Sequence, residues 1–243
     1  MTAKTTPKPS SKKVSTVRAE EMEDPLLVPR VLPRGLNSLP RDIVLLSQRS
    51  RLVEAIAHFV AAKGYPNTSV ADIIARAGVS RTTFYQQFQD KEDCYFSCFE
   101  RLSESHLKRV TNAMHSDGTP KERLIASVGA YLEHLSEDGE FALAFFAEAS
   151  SAGDRVRARS LEIKTEQKNN LIRWHQDLRK SHPELIAPPS AVFDLVIDGS
   201  DAFLVRWVRN GFQLSVREAK RDICYFLFAS LGLQEWAKEV LAV

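Results

Sequence analysis

From Ser80 to Gln86 the chain reads Ser-Arg-Thr-Thr-Phe-Tyr-Gln, and every side chain but Phe84 can hydrogen-bond. The types and their crowding suit recognition of a flat, charged polymer. The guanidinium fork of Arg81 fits the two acceptors of guanine, Gln86 fits the donor–acceptor pair of adenine, and the Thr82 methyl can touch thymine. The hydroxyls of Thr83 and Tyr85 suit phosphate oxygens, which fix orientation without reading sequence. The other reading of this spacing is a helical hairpin whose polar face meets only water.

Catalytic chemistry finds less support. Cys94 and Cys98 share a helix face, but no Cys or His pair stands at ligand spacing beside them, so they read as small buried apolar residues. The six His are scattered, with no pair four residues apart. Nucleophile-elbow, dinucleotide and Walker loops are all missing from the sequence. No catalytic residue, metal or cofactor is therefore expected. Arg155, Arg157 and Arg159 read as a solvated helix face, with capture of an acidic ligand head as the second reading.

The elements that must hold Arg81 and Gln86 in place are helices. Around them, "AGVSRTTFYQQF" (Ala77–Phe88) stops one helix at Gly78 and restarts another at Ser80, whose inner face is Phe84 and Phe88. Upstream, a helix over 40–63 carries Leu45, Leu52, Ile56, Phe59 and Val60 on one stripe and closes at Gly64. Ser69 with Asp72 makes a capping box for the helix between. Three helices within about fifty residues, the last two joined by a tight Gly turn, give the helix-turn-helix layout. Downstream, helices are predicted from Asp90 to Ser116, from Thr119-Pro120, over 140–151, from Asp154 to Lys180, from Ser190 to Asn210, from Ser215 to Leu231 and around Trp236. No strand pattern competes, so the fold class is all-α.

Composition agrees. The 243 residues are 44% hydrophobic and 26% charged, ordinary for a globular protein with a real core. Three Cys, an odd number, point to a reducing compartment. The first thirty residues hold no apolar signal segment, and the longest apolar run, Ile223–Ala229, is far too short for a membrane span. A soluble, cytoplasmic protein is expected. Residues 1–91 hold 14 Lys/Arg against 8 Asp/Glu, a balance of +6, and the remainder holds 19 against 23, a balance of −4. A basic first third suggests a polyanionic partner there. Residues 1–39 contain five of the eleven Pro and read as a flexible basic arm, either lying on a polyanion or simply solubilising.

The stretch "NTSVADIIARAGVSRTTFYQQFQDKEDCY", Asn67–Tyr95, resembles the DNA-binding signature of the TetR family of bacterial one-component regulators. One position departs from it: Thr82 stands where the family often has Gly. The resemblance implies a homodimer with a helix-turn-helix domain over 40–95 and a ligand-binding and dimerisation domain over 96–243. It implies backbone contacts to operator DNA from Ser69, Ser80, Thr83, Tyr85 and Lys91, and base reading by Arg81, Thr82 and Gln86. It further implies an effector pocket, for which Phe96, Phe99, Tyr131, Leu135, Phe141, Phe145, Phe146, Trp174 and Phe193 are the candidates. The dimer seam is expected on the last two long helices, with Phe203, Trp207, Tyr225 and Phe226 buried in it. The function implied is a repressor released by a small apolar or acyl-type effector. Alternatives are an activator or effector-independent regulator of the same fold, or an α-helical cofactor-binding enzyme.

Overall fold

The computed structural model describes residues 40–242. The basic arm expected over 1–39 lies outside the described residues. Two compact units divide within the first helix, residues 1–50 and 51–243. Of the first unit, the described part is residues 40–50, which are helical from Arg41. Among the described residues the secondary structure is helical throughout, with no strand.

In the second unit, the remainder of α1 (Arg41–Lys63) places Leu52, Val53, Ala55, Ile56, Ala57 and Val60 in one apolar core. Ile73 and Ala77 of α2 (Val70–Ala77), Phe84 of α3 (Arg81–Gln87), and Cys94, Tyr95, Cys98 and Phe99 of α4 (Lys91–Met114) complete it from the other sides. The same core runs on into Ala144 of α6 (Gly139–Glu148), Ala152, and Val156 of α7 (Asp154–Ser181). A second core joins α5 (Pro120–Glu137) and α7 to α8 (Ser190–Arg209), α9 (Val216–Ser230) and α10 (Gln234–Leu241), around Leu132, Leu178, Phe193, Trp207, Phe228 and Leu231. Large apolar side chains buried this fully contribute about 1.5–3 kcal/mol each, which is why helix packing rather than helix propensity fixes these elements.

The helix starts follow local capping chemistry. Ser69, Ser80, Asp90, Thr119 and Ser215 each accept a hydrogen bond from the backbone N–H three residues on, and Asp72, Glu122 and Glu218 return it. One start differs from expectation. Ser190 is the first residue of α8 rather than its cap, since Pro189 precedes it without a side-chain bond. The α7 start at Asp154 is as expected; Gly153 before it has φ +116°, and a Cβ there would fall 2.4 Å from Glu92 Oε1. The short aromatic helix also ends sooner than predicted, passing into a 3-10 turn over Ala149–Ser151. No helix among the described residues is long and apolar enough to cross a membrane.

Candidate nucleic-acid interface and the body behind it

The α2–α3 turn depends on one backbone state. Gly78 takes φ +63°, ψ +40°, the left-handed region where a Cβ is unfavourable, and its neighbour Ala77 gives its carbonyl to Arg51 Nη1 at 2.9 Å. Arg51 thus pins the turn to α1, a role that no local sequence signal announces. Ser80 then caps α3 through Thr83 N at 3.0 Å, and the Ser80 and Thr83 hydroxyls meet at 2.8 Å.

From that start, α3 buries Phe84 completely and delivers the chain to Phe88, 2% exposed. The opposite face carries Arg81, Thr82, Tyr85 and Gln86, all exposed, with Thr83 half-buried beside them. Tyr85 is held edge-on to Phe84 at 5.3 Å between ring centroids, so its hydroxyl is presented from a fixed ring. Ser69 and Ser80 are exposed but already serve as caps, and Ser69 Oγ donates to Asp72 Oδ2 at 2.6 Å. Asp72 also receives Lys63 Nζ at 2.8 Å, and these bonds hold its carboxyl well below the usual range.

Lys91, for which the resemblance implies a DNA-backbone contact, is the first residue of α4 and turns its ammonium onto the α1–α2 loop. Its ammonium donates to the carbonyl oxygens of Tyr65 and Thr68, both at 2.9 Å, and lies 4.1 Å from the centre of the Tyr65 ring. Two of its three donors are thereby spent on the α1–α2 loop. Burial lowers its pKa and pushes that of Tyr65 up to about 12. The same loop is held from the body, where Glu148, the last residue of α6, accepts the Tyr65 N–H at 3.0 Å.

Behind this face, α4 is tied to α7 by charge. Arg155 pairs with Asp93 at 3.0 Å and Arg159 with Glu100 at 2.8 Å. The Arg155 guanidinium also stacks on Phe96 at 3.7 Å, so Phe96 lies under a surface cation and leaves the predicted pocket. Arg157 pairs with Asp154 on its own helix. The arginines therefore brace α7, two of them against α4.

The other predicted lining residues fall into two groups. Phe99 stacks on Phe145 at 4.4 Å, Phe145 meets Phe146 at 5.0 Å, and Phe146 meets Tyr131 at 6.4 Å. This continuous aromatic row starts at a gap walled by Tyr95, Cys98, Phe99, Leu102, Phe141, Ala144 and Phe145, too narrow for a water molecule. Trp174 and Phe193 belong elsewhere in the body, Trp174 beside Trp236 with its indole N–H on Pro120 O at 3.2 Å, Phe193 beside His175. Leu135 is buried in the same core.

The predicted seam divides likewise. Trp207 is 4% exposed, donates to Leu214 O at 2.8 Å, and belongs to its own subunit's core, because the turn after α8 folds back over it. Phe203 packs half-buried on that core. Tyr225 and Phe226 of α9 are 43% and 39% exposed, and Leu195 of α8 is 67% exposed. Phe226 lies against Gly199, where a Cβ would come within 3.2 Å of its ring.

The buried thiols lack the thiolate character of reactive cysteine. All three Cys are buried, and burial pushes Cys98 and Cys224 up to about 12.

Comparison with known proteins places this geometry. Residues 52–98 match the family described as bacterial regulatory proteins, tetR family. The chain is similar to the HTH-type transcriptional activator FasR of Mycolicibacterium smegmatis, at 29% identity over 43% of this chain and 46% of the relative. It is similar to the HTH-type transcriptional repressor KstR2 of Mycobacterium tuberculosis, at 25% identity over 71% of this chain and 86% of the relative. It spans about half the length of the curated relatives that it matches first. Its fold is that of the transcriptional regulator FadR from Bacillus subtilis, solved in complex with stearoyl-CoA, with a TM-score of 0.65, 21% identity, and coverage of 74% of this chain and 97% of that one.

Proposed function

The chain belongs to the TetR family of bacterial regulatory proteins, and we propose that it is a homodimeric, sequence-specific DNA-binding regulator whose affinity for its operator responds to an apolar, acyl-type effector. The observation that carries the DNA-binding reading is the two-sidedness of α3. Phe84 is locked in the core while Arg81, Thr82, Tyr85 and Gln86 stand exposed on one short helix after the Gly78 turn. A recognition helix set in this way enters the major groove N-terminus first. Arg81, Thr82 and Gln86 are the base readers in this reading, with Thr83 and Tyr85 on phosphates and Ser69 and Ser80 as capping residues beside the backbone.

The effector reading rests on the aromatic row from Phe99 to Tyr131, with Phe141 beside it, and on the stearoyl-CoA bound by a relative of the same fold. A ligand parting those rings presses on α4 and α6. Both helices hold the α1–α2 loop, through Lys91 and Glu148, so the loop and the reading head behind it move with them. The response is a population shift that the effector drives by its differential affinity for the two arrangements. Two copies are joined through the exposed side chains of Leu195, Tyr225 and Phe226, and this sets the two α3 helices about one DNA turn, ~34 Å, apart.

The test is binding to fragments of the source genome followed by titration of the best site. Arg81→Ala or Gln86→Ala is expected to weaken that site by ~1–3 kcal/mol and to relax preference at one base pair. Equal weakening on every sequence would make these residues backbone contacts. An operator-bound protein indifferent to hexadecanoyl-CoA would remove the acyl effector.

A further inference from the structure

The aromatic row ends on two histidines, and the protein leaves three of their four ring nitrogens unmet. His106 of α4 is 7% exposed, and neither Nδ1 nor Nε2 has a hydrogen-bond partner. Its ring centroid lies 3.6 Å from that of Tyr131 and 5.4 Å from that of His134, both on α5. His134 Nε2 is buried and unpartnered as well, while its Nδ1 faces Glu137 Oε2 at 3.5 Å. A buried polar nitrogen without a partner is destabilising, and buried polar groups are as a rule satisfied. Two such rings side by side leave three unpartnered nitrogens that only a polar group from outside the chain can meet.

The protonation of the pair says what that group is. Burial pushes His106 well below its ordinary value, and burial, then Arg109, pushes His134 down, so both rings are neutral at pH 7. A carboxylate only accepts, so His134 Nδ1 carries the proton shared with Glu137 and Nε2 is a bare acceptor. His106 offers one N–H and one bare nitrogen. The Tyr131 hydroxyl oxygen faces the Gln167 amide as its donor. A guest that only accepts, such as a ketone or a carboxylate, leaves His134 Nε2 unmet. A structural zinc ion needs four ligands, and among the described residues no group of three His, Cys, Asp or Glu forms a metal site. A hydroxyl group reaches both rings, donating to His134 Nε2 and accepting from the His106 N–H, and so meets two of the three unpartnered nitrogens where an acceptor meets one.

We propose that the effector carries a hydroxyl group on an otherwise apolar skeleton, and that His106 and His134 together recognise it at the end of the aromatic row. This deepens the effector reading above and rests on it. An apolar ligand lying along Phe99, Phe145 and Phe146 brings its far end to Tyr131 and the two imidazoles. The cost of leaving those nitrogens bare in the free protein is recovered when the hydroxyl arrives, so an analogue lacking it is strongly disfavoured.

The experiment uses the full chain and three probes: hexadecanoic acid, 10-hydroxyhexadecanoic acid and 16-hydroxyhexadecanoic acid. Their effect on Tm and on operator release is measured for the parent, His106→Leu and His134→Leu. In the parent, one hydroxylated acid is expected to act at a concentration at least tenfold below that of hexadecanoic acid, and both variants are expected to lose that preference. Without any probe, His106→Leu is expected to melt above the parent, because an unmet polar ring is replaced by an apolar side chain. A preference that survives both variants, or a free His106→Leu protein that melts lower, overturns the proposal. A parent responding equally to all three acids overturns it while leaving the acyl reading intact. Silence toward all three acids overturns the proposal, and silence toward hexadecanoyl-CoA in the same assay overturns the acyl reading as well.

Discussion

The backbone N–H of Tyr65 donates to the carboxylate of Glu148 at 3.0 Å, across 83 residues of sequence. One partner opens the loop into α2 and the other closes the aromatic helix α6. The aromatic helix α6 and the loop leading into α2 are thereby joined by a charge-assisted hydrogen bond, the stronger kind.

Glu148→Ala is expected to lower stability by about 1–2 kcal/mol, since a partly buried N–H loses an ionised partner. It is also expected to shrink the ratio of operator affinities without and with hexadecanoyl-CoA by about 2- to 30-fold. Urea denaturation and operator titrations check the two effects. An unchanged ratio would place the coupling elsewhere.

Lys91→Met keeps the length of the side chain and removes the ammonium from Tyr65 O and Thr68 O. Operator affinity is expected to fall by the same factor at every salt concentration, alongside a drop of about 1–2 kcal/mol in stability. A slope of log affinity against log salt that flattens by ~0.9 in the variant, the amount expected when one phosphate is no longer neutralised, would instead put Lys91 on the DNA backbone.

Tyr225→Asp and Phe226→Asp set a charge on the exposed face of α9 and are expected to yield monomers of nearly parental Tm by sedimentation. Trp207→Asp is expected to unfold the subunit, at a cost above ~3 kcal/mol, since that ring fills its own core. Dimers persisting in both surface variants would move the seam.

Hydrogen bonds from Lys63 and Ser69 depress the Asp72 pKa, so the stability it contributes is present above its unfolded value near 3.8 and is lost as pH falls below it. Asp72→Asn is therefore expected to lower stability at pH 7 and to flatten its decline between pH 5 and pH 2, read by urea denaturation at each pH.

The sequence by itself determined what lies within one helical turn. Ser69 with Asp72, Ser80 with Thr83, and Ser215 with Glu218 cap their helices because the donors and acceptors stand three residues apart. Gly78 marks the turn because the left-handed state penalises a Cβ, and the period of Phe84 and Phe88 reveals which face of α3 is inward. Only the tertiary structure decided what those faces meet. Periodicity makes Trp207, Tyr225 and Phe226 equally apolar, yet the Trp207 ring is folded under by the turn after α8 and the other two are left outside. Phe96 reads as a pocket aromatic until Arg155, 59 residues on, stacks over it. Lys91 reads as a DNA-backbone contact from the resemblance, whereas in the fold its ammonium donates hydrogen bonds to two carbonyls of the α1–α2 loop. His106 and His134 are 28 positions apart, with no spacing rule to link them. Only the packing of α4 on α5 brings their rings together, in a core whose low polarity keeps both neutral.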